Sequence, residues 1–378
     1  MPRRAVLHVT EPADGGVGRC VLDFVADQAA RGWRVGVVSP ADPAFTTALE
    51  AAGAEHLDWR VPARTVATRR LQPPVRRLAV ELRPLRRTVL DWQPDVVHLH
   101  SSLAGLAGRL ALRGRLPTAF QPHMWSFQSV SGLARTGAIA WERFATRWTD
   151  AIVYVSDDER RVGEAAGIRC IGHVVPNGVD VEAVTAASAE DRRDARGRLG
   201  LGDMPLVLCL GNIRHSKGQD VLLDAWPEVL GRVPGAQLVF VGDGPDRPLL
   251  EQRNVEGALF AGARSDVGDW LAAADVVAIP SRAEAMSLVL LEAMARGRSV
   301  VASDVSGARE ALGEAGAVVP SEAAAPLAAA LSERLLDPQR AAAEGEMGRS
   351  RAERYFDIRR TSALIADVYE DVISATTA

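Results

Sequence analysis

Two glutamates stand at either end of an apolar run that could form one wall of a polar site. Glu284 and Glu292 are eight positions apart, and Gly297 follows the run. A strand expected at 276–279 and an N-cap at Ser287 predict a helix that ends at Gly297, so Glu284 lies in a loop and Glu292 in the helix. Eight helical residues rise ~12 Å, so the carboxylates cannot share a proton but can bind opposite ends of one elongated ligand. This spacing is also common on solvated helix faces, and alone it favours that plainer interpretation.

The predicted helix begins with backbone N–H groups that have no partner within the helix. Met286, Ser287 and Leu288 supply these groups. The helix dipole and the unpaired N–H groups together favour an anion at such a position. A ligand with hydroxyls at both ends and a phosphate in the middle therefore fits the stretch between the two glutamates.

A second polar loop follows the strand expected at 206–210. It begins at Gly211 and Asn212 and carries Arg214 and Lys217. Of the 44 lysine and arginine residues in the chain, Lys217 is the only lysine. Two cations and the N–H groups of a glycine turn can bind a diphosphate at the carboxyl end of a strand. The alternative is a basic surface loop, and the single surviving lysine favours the diphosphate site.

Two further glycine loops follow neighbouring strands of the same predicted sheet. One carries Gly242 and Gly244, and the other ends in Arg264. Because the carboxyl ends of parallel strands meet at one edge of a sheet, all these loops are expected on one rim. Several polar loops on one rim predict a binding site more specifically than any one of them does.

Composition limits the class of protein. At 378 residues the chain exceeds what one hydrophobic core usually holds, so two domains are expected. The net charge of −4 argues against a protein that coats nucleic acid. Three widely spaced cysteines indicate buried thiols in a reducing compartment. With no signal peptide or membrane-spanning run recognised, we expect a cytoplasmic protein, free or peripheral on the inner face of the plasma membrane.

Short apolar runs alternate with helical segments in both halves of the chain, a pattern typical of α/β proteins with doubly wound parallel sheets. The domains are expected at 1–185 and 186–359, with 186–202 as a linker and capping helix. Helices are expected at 324–336 and 350–373, and the C-terminal helix, about 360–378, is expected to return to the first domain. The predicted strands are 5–9, 34–38, 96–99, 118–121, 152–155 and 173–175, then 206–210, 237–241, 259–261, 276–279, 299–302 and 317–319.

A glycine turn opens the first predicted helix. Gly15, Gly16 and Gly18 follow the first strand and allow a ligand to approach the backbone closely. The turn is not a dinucleotide fingerprint, because Val21 occupies the position of the third glycine. A tight turn without a ligand is an equally good interpretation.

Arg60 to Arg87 form a basic block in which Glu81 is the only acidic residue. Interleaved leucines and valines make the block similar to short amphipathic helices that lie on an anionic membrane. A solvated loop rich in arginine is the alternative. Elsewhere, His98 and His100 share one face of a strand, but no third ligand of suitable spacing was recognised, so we expect strand-end packing and no metal.

Taken in order, the motifs of the chain resemble those of glycosyltransferase family 4. The resemblance runs from about residue 5 to 320 and implies a retaining, nucleotide-sugar-dependent enzyme of the GT-B fold, with two Rossmann-like domains facing a central cleft. The matching motifs are Gly15-Gly16-x-Gly18, Asp95-x-x-His98-x-His100, Pro122-His123-x-Trp125, Val155-Ser156, Pro176-Asn177-Gly178-Val179-Asp180, Gly211 with Lys217-Gly218, Gly242-Asp243-Gly244-Pro245, and Glu284-x7-Glu292.

The resemblance also implies roles for individual residues. Catalytic roles fall to Lys217, Arg214, His123 and Glu284, where His123 resembles the histidine that reaches the donor sugar and Glu284 binds its hydroxyls. Asn212 stands where many members have arginine, and Arg214 is expected to supply the missing charge. Donor-binding roles fall to Gly16, Gly211, Asn212, Gly242, Gly244, Arg264, Met286, Ser287, Leu288 and Glu292, which binds the ribose. The turn with Gly15 and Gly18 is expected on the acceptor side. His100 and Trp125 are also expected there, where Trp125 can stack on a sugar, but a core aromatic is an equally good interpretation of Trp125.

The function that the resemblance implies is transfer of a hexose from a UDP- or GDP-sugar to a hydroxyl, in envelope polysaccharide or glycolipid synthesis. No metal, other cofactor or nucleic-acid partner is expected. The acceptor is a sugar, a lipid-linked glycan or a small molecule. Transfer to a small secondary metabolite, a nucleotide-sugar epimerase, and a non-catalytic partner subunit that binds nucleotide-sugar are the alternatives.

Overall fold

A computed structural model of the protein describes residues 4–13, 15–60 and 74–377, with side chains except at 74–80 and 376–377. The chain divides into two compact units, Met1–Pro176 together with Arg359–Ala378, and Asn177–Ile358. The boundary expected between 185 and 186 lies slightly beyond this division. Each unit contains one parallel sheet with helices between its strands, so the predicted α/β class with two doubly wound sheets is confirmed.

The first unit has a seven-stranded sheet in the order β3-β2-β1-β4-β5-β6-β7. The strand order reverses at β1, which pairs with both β2 and β4. Its elements are β1 (Ala5–Thr10), α1 (Gly15–Ala30), β2 (Arg34–Ser39), α2 (Pro43–Ala51), β3 (Glu55–Asp58), α3 (Pro74–Trp92), β4 (Val96–His100), α4 (Ser101–Leu112), β5 (Thr118–Gln121), α5 (Gly132–Ala145), β6 (Ala151–Tyr154), α6 (Asp157–Ala165) and β7 (Gly172–Val174).

The second unit has a six-stranded sheet in the order β10-β9-β8-β11-β12-β13. Here the order reverses between β8 and β11, and ligands of open α/β sheets bind outside the strand ends at such a point. Its elements are α7 (Ala189–Leu199), β8 (Leu206–Leu210), α8 (Gln219–Arg232), β9 (Gln237–Val241), α9 (Arg247–Glu251), β10 (Ala258–Gly262), α10 (Val267–Ala273), β11 (Val276–Ile279), α11 (Leu288–Ala295), β12 (Ser299–Ser303), α12 (Ala308–Leu312), β13 (Gly316–Val319), α13 (Ala324–Leu336) and α14 (Pro338–Tyr355).

Burial explains which strands the sequence revealed. Every residue of β1, β4, β11 and β12 is buried, as expected for central strands covered on both faces. All strands expected from the sequence are present. The strand that was missed, β3, lies at the edge of its sheet beside β2 and reads Glu-His-Leu-Asp, so no apolar run marked it.

The end of the chain differs from the expectation of one helix over 350–373. Two helices occupy this region, α14 and α15 (Ile358–Thr377), because the backbone between them pairs with Val179. The Val179 N–H donates to the Phe356 carbonyl at 2.8 Å, and the Ile358 N–H donates to the Val179 carbonyl at 3.0 Å. Phe356 is buried at the break.

The final helix α15 belongs largely to the first unit. Its residues Ile365, Val368 and Tyr369 are buried in a cluster with Val6 of β1 and Phe24 of α1. This is the return of the last helix that the sequence led us to expect. Among the helices of the described residues, none has the length and apolar character needed to cross a bilayer.

Candidate functional site

The loop and helix that carry the two glutamates fold as predicted. After β11 the chain forms a loop, and the Ser287 hydroxyl accepts the Leu290 N–H at 3.4 Å as an N-cap. Helix α11 then runs to Ala295, and Gly297 adopts a φ of 72°. Glu284 lies in the loop, and Glu292 is partly buried within the helix. Leu288 begins α11, Ser287 is its N-cap and Met286 precedes the cap, and binding of an anion by their N–H groups stays a prediction.

The central contact of the second unit joins the lysine loop to the glutamate loop. Lys217 Nζ donates to Glu284 Oε1 at 2.5 Å. The Ser281 hydroxyl donates to the same oxygen at 2.8 Å. The side chains of Lys217 and Glu284 are 24% and 13% exposed, so the ion pair is shielded but within reach of solvent. The structure therefore brings together two residues that the sequence assigned to different groups of one ligand.

Arg282 holds these two loops in place, and the sequence analysis did not identify it. Its Nη1 donates to the His215 carbonyl at 2.7 Å, and Nη1 and Nη2 each bind the Asp220 carboxylate at 2.7 Å. The hydrogen bonds with Asp220 raise the pKa of Arg282, and those with Arg282 lower the pKa of Asp220. Asp220 is 62 positions away, so no local spacing could have indicated the pair.

Three glycines allow neighbouring loops of the second unit to meet. Gly218 has a φ of 67°, and a Cβ there would lie 1.9 Å from the Pro280 carbonyl oxygen. Gly242 has a φ of 139°, and a Cβ there would lie 2.0 Å from the Gly211 carbonyl oxygen. Gly244 similarly packs against the Ile213 carbonyl. A side chain at any of these glycines would clash with a backbone carbonyl, so packing alone accounts for them. The donor contacts assigned to Gly211, Gly242 and Gly244 stay predictions.

The loop before α11 has two more supports that the sequence analysis missed. Asn177 Nδ2 donates to the Met286 carbonyl at 2.9 Å. A Cβ on Gly307, whose φ is 77°, would lie 2.5 Å from the Ala285 carbonyl oxygen. Asn177 belongs to a motif that carried the family resemblance, which was the available signal. Gly307 had no comparable signal because its contact depends on tertiary packing.

The remaining predicted residues of the second unit lie at the rim. Asn212 and Arg214 are exposed, and no described residue forms an ion pair with the Arg214 guanidinium. The Asn212 carbonyl accepts a hydrogen bond from Gln219 Nε2 at 3.0 Å. Arg264 is also exposed and binds the Asp266 carboxylate through Nε at 2.9 Å and Nη2 at 2.5 Å. Arg214 is thus the cation that is available to an incoming anion.

In the first unit, the predicted glycine turn opens α1. Gly15, with a φ of 67°, and Gly16 are exposed, whereas Gly18 is buried. A Cβ on Gly18 would lie 2.0 Å from the Ala13 carbonyl oxygen, so the turn requires glycine there. Contacts of this turn with an acceptor stay a prediction.

His98 and His100 have a third histidine beside them, contrary to the sequence analysis. His8 on β1 lies next to β4, and ring nitrogens of His8, His98 and His100 lie within 4.8 Å of one another. The premise that no third ligand is near was wrong, because spacing along β4 does not reveal a residue on the neighbouring strand. His8 Nδ1 lies 2.9 Å from His100 Nε2, and His98 Nδ1 lies 2.7 Å from Tyr369 Oη. Each of these rings thus has a protein partner, and the absence of a metal stays a prediction.

His100 and Trp125, both expected on the acceptor side, are fully buried. Trp125 stacks on Phe127 with ring centroids 5.6 Å apart, and its Nε1 donates to the Glu159 carbonyl at 2.9 Å. Trp125 is therefore a core aromatic. Because it is buried, His100 can influence a ligand only through its neighbours. Its Nδ1 lies 3.2 Å from Nε2 of His123, the partly buried histidine of the next loop.

The turn that presents His123 is held in an unusual conformation. His123 and Met124 have φ values of 50° and 100°, which are costly for residues with a Cβ. The Glu159 carboxylate accepts the Met124 N–H at 2.7 Å and the Val155 N–H at 2.9 Å. Burial raises the pKa of Glu159 to about 7, and these two hydrogen bonds partly oppose that shift. Glu159 is thus a further residue of this region that the sequence analysis missed.

The buried histidines predict that the first unit is sensitive to acid. Burial lowers the pKa of His8 to about 4 and that of His123 to about 3, and it lowers the pKa of His98 and His100 well below the usual value. An unfolded histidine titrates near ~6.5, so the unfolded chain binds more protons below that pH. Above about pH 6.5 these histidines are neutral in both states and do not oppose folding. As the pH falls from about 6.5 towards 4, they lower the free energy of unfolding.

Glu159 opposes this effect of the histidines on the free energy of unfolding. Its pKa is raised in the folded state, so the folded state is favoured at low pH. Because four histidines oppose one glutamate, we expect a lower unfolding temperature at pH 5 than at pH 7, measured by near-UV circular dichroism. Glu159→Gln should steepen the loss. Equal unfolding temperatures at the two pH values would contradict the prediction.

Comparison with known proteins agrees with this geometry. The family model Glycosyltransferase Family 4 matches residues 14–183, and the model Glycosyl transferases group 1 matches residues 204–337. The two models cover the glycine turn and strand β4 of the first unit, and Lys217, Glu284 and Glu292 of the second.

Relatives with assigned functions match over different lengths. A phosphatidyl-myo-inositol mannosyltransferase of Mycobacterium leprae (strain TN) is 33% identical over 385 residues, covering 96% of this chain and 94% of that protein. A GDP-mannose-dependent monoacylated alpha-(1-6)-phosphatidylinositol monomannoside mannosyltransferase of Corynebacterium glutamicum (strain ATCC 13032) is 36% identical over 219 residues, covering 54% of this chain and 58% of that protein. The second match thus spans less than two thirds of that relative.

A solved structure shows the fold. Anabaena Alr3699/HepE, crystallised with UDP and glucose, has a TM-score of 0.80 and 23% identity, covering 97% of this chain and all of that one. At this identity the likeness establishes the GT-B fold and nothing about ligands. Together with the near full-length relative and the two family models, it leads to one conclusion: the chain belongs to glycosyltransferase family 4.

Proposed function

We propose that the protein is a retaining glycosyltransferase that moves a mannosyl group from GDP-mannose to a hydroxyl of an inositol phospholipid or related lipid-linked glycan. The Lys217–Glu284 pair beside the start of α11 is the observation that carries the transferase proposal. The donor and acceptor are proposed from the functions of the relatives. A UDP-sugar donor is the second candidate.

The geometry supports binding of a diphosphate at the switch point of the second sheet. The loops after β8 and β11 carry Lys217 and Glu284, and they lie at the carboxyl ends of the strands where the order reverses. The N-terminus of α11 begins a few residues after Glu284. Fixed cations and oriented N–H groups stabilise charge that develops on a leaving diphosphate, because little reorganisation is then needed.

In the proposed reaction, the bond between the anomeric carbon and the phosphate oxygen breaks while the acceptor oxygen bonds to the same carbon on the same face. The acceptor's proton passes to the departing phosphate. Lys217, Arg214 and the N–H groups of Met286 to Leu288 stabilise the leaving group. Glu284 binds sugar hydroxyls, Glu292 binds the ribose, and Arg264 lies near the base.

The ion pair gives Glu284 a second task. Without a donor, its carboxylate partly neutralises Lys217, which limits the repulsion among cations in the loop. When a diphosphate binds, the ammonium can interact with both anions. Removal of Lys217 would therefore remove a donor to the phosphate and also leave an unpaired carboxylate near it.

We expect Lys217→Ala to lower kcat by about 10²–10³-fold, the usual effect of losing one fixed donor to developing negative charge. Turnover of GDP-mannose with a phosphatidylinositol acceptor, followed by mass spectrometry of the lipid product, measures this. Arg232→Ala is the control, because that exposed arginine pairs only with Glu228 within α8. Near-normal turnover of the Lys217 variant would rule out the leaving-group role.

A donor screen tests the proposed substrate directly. GDP-mannose should raise the unfolding temperature more than UDP-glucose does, since a ligand at ~100 times its Kd stabilises the folded state by ~2.7 kcal/mol. Product formation should require both donor and acceptor. A change of the sugar in donor incubated alone would indicate an epimerase, and donor binding without turnover on any acceptor would indicate a non-catalytic subunit.

We also propose that the basic block contributes to membrane association. Arg64, Arg69 and Arg70 lie outside the described residues, but Arg83, Arg86 and Arg87 are exposed on α3. Leu85 and Val89 of the same helix are buried in the core of the first unit. The apolar side of this part of α3 is therefore largely covered, although Leu90 is exposed, and the three arginines are available to lipid headgroups.

Binding to vesicles that contain anionic phospholipid should accordingly weaken steeply with salt, because exposed charges are screened within ~8 Å at physiological ionic strength. The fraction of protein that sediments with the vesicles, compared at low and at high salt, measures this binding. Replacing Arg83, Arg86 and Arg87 with glutamate should reduce binding, and purely zwitterionic vesicles are the control. Salt-independent binding would contradict an electrostatic contact.

A further inference from the structure

A chain of hydrogen bonds runs from the interior of the first unit to His123. His8 Nε2 lies 2.9 Å from Gln28 Oε1, and His8 Nδ1 lies 2.9 Å from His100 Nε2. His100 Nδ1 lies 3.2 Å from His123 Nε2. Gln28, His8 and His100 are buried, whereas His123 is partly accessible. The chain thus links a buried amide on α1 to the surface of the predicted site.

The chemistry of the amide fixes the direction of every bond in this chain. The Gln28 oxygen can only accept, so His8 must carry its proton on Nε2. A neutral His8 then accepts at Nδ1, so His100 must donate from Nε2 and accept at its own Nδ1. His123 must in turn donate from Nε2. A reversed Gln28 amide would reverse all three rings, so Gln28 is the residue that sets the direction.

The histidines have the protonation state that this chain requires. Burial is the largest cause of the lowered pKa of each of these rings, so His8, His100 and His123 are neutral near pH 7. A doubly protonated ring could not accept a hydrogen bond and would break the chain. At the outer end, no described residue hydrogen-bonds His123 Nδ1, which leaves that nitrogen for a ligand.

We propose that Gln28, His8 and His100 are positioning residues that hold His123 in the Nε2–H tautomer, so that its Nδ1 offers a lone pair to a hydroxyl of a bound sugar. This inference rests on the proposed function for the identity of the sugar. It assigns to His123 the role of an acceptor of a hydrogen bond and not of a donor or general acid. A hydroxyl satisfies such a nitrogen, whereas a carboxylate on the sugar would be repelled by it.

The same histidines could alternatively hold a metal ion, but the two arrangements exclude each other. A metal bound by His8 Nδ1 or His100 Nε2 would replace the hydrogen bond between these two nitrogens, whereas His98 Nε2 has no hydrogen-bond partner among the described residues. The hydrogen-bonded chain therefore accounts for the observed contacts better.

Nitrogen-15 NMR of the full-length protein without ligand tests the tautomer. Long-range correlation between ring protons and ring nitrogens separates protonated from unprotonated nitrogens, and a His123→Gln sample assigns the signals of His123. We expect His8, His100 and His123 each to be protonated at Nε2 at pH 7. Protonation of His123 at Nδ1 would overturn the proposal, and so would displacement of these signals by one equivalent of added zinc.

Gln28→Met tests the role of the amide, because methionine is of similar size and has no comparable acceptor. We expect a mixture of His123 tautomers and a fall in kcat/KM of about 3- to 10-fold, as for loss of one net hydrogen bond. Affinity for GDP, which lacks the sugar, should be unchanged. Gln28→Glu keeps the acceptor and should restore the tautomer and much of the activity.

Thr149→Val is the matched control, since it removes another buried hydrogen bond of the first unit, to the Ala145 carbonyl, away from the chain. It should alter neither the tautomer nor kcat/KM. An unchanged His123 tautomer in Gln28→Met would overturn the proposal. The NMR result does not depend on turnover, so failure of the proposed function would appear separately, as an inactive wild-type protein with the expected tautomer.

Discussion

The ion pair between Lys217 and Glu284 is the contact on which the second unit's candidate site depends. Its partners are 67 positions apart in the chain, so it exists only because two strand-end loops meet. Gly218 makes that approach possible, and Arg282 binds the two loops together. A partly shielded pair of this kind adds little to stability, where exposed pairs contribute ~0–1 kcal/mol. Its importance is that it fixes an ammonium at the switch point of the sheet.

The sequence revealed elements whose signal is local and missed those whose signal is tertiary. Central strands are continuous apolar runs because both faces are buried, and the start of α11 is marked by the Ser287 cap, so both were predictable. The edge strand β3 has no apolar run, and the break at Phe356 depends on pairing with Val179. Neither could be read from residues near it in the sequence.

The candidate site shows the same division. Lys217 was conspicuous as the only lysine, but its partner and Arg282 were not predictable from spacing, because partners across loops are set by packing. Trp125 was placed near an acceptor because sequence cannot distinguish a core aromatic from one that faces a sugar. The third histidine, His8, was missed because adjacency of β1 and β4 follows from the strand order and not from the order of the chain.

The two units carry different chemistry. The leaving diphosphate gains negative charge, and the second unit provides Lys217, the exposed Arg214 and the N-terminus of α11. The first unit provides His123, which can accept a hydrogen bond from a sugar hydroxyl only while its ring is neutral, because a protonated ring has no lone pair to offer. Burial and the chain from Gln28 keep His123 neutral, with a lone pair available. Buried neutral imidazoles lower the stability of the folded state in acid, but they provide an uncharged hydrogen-bond acceptor near pH 7. A solvated histidine, which titrates near ~6.5, would be partly protonated there.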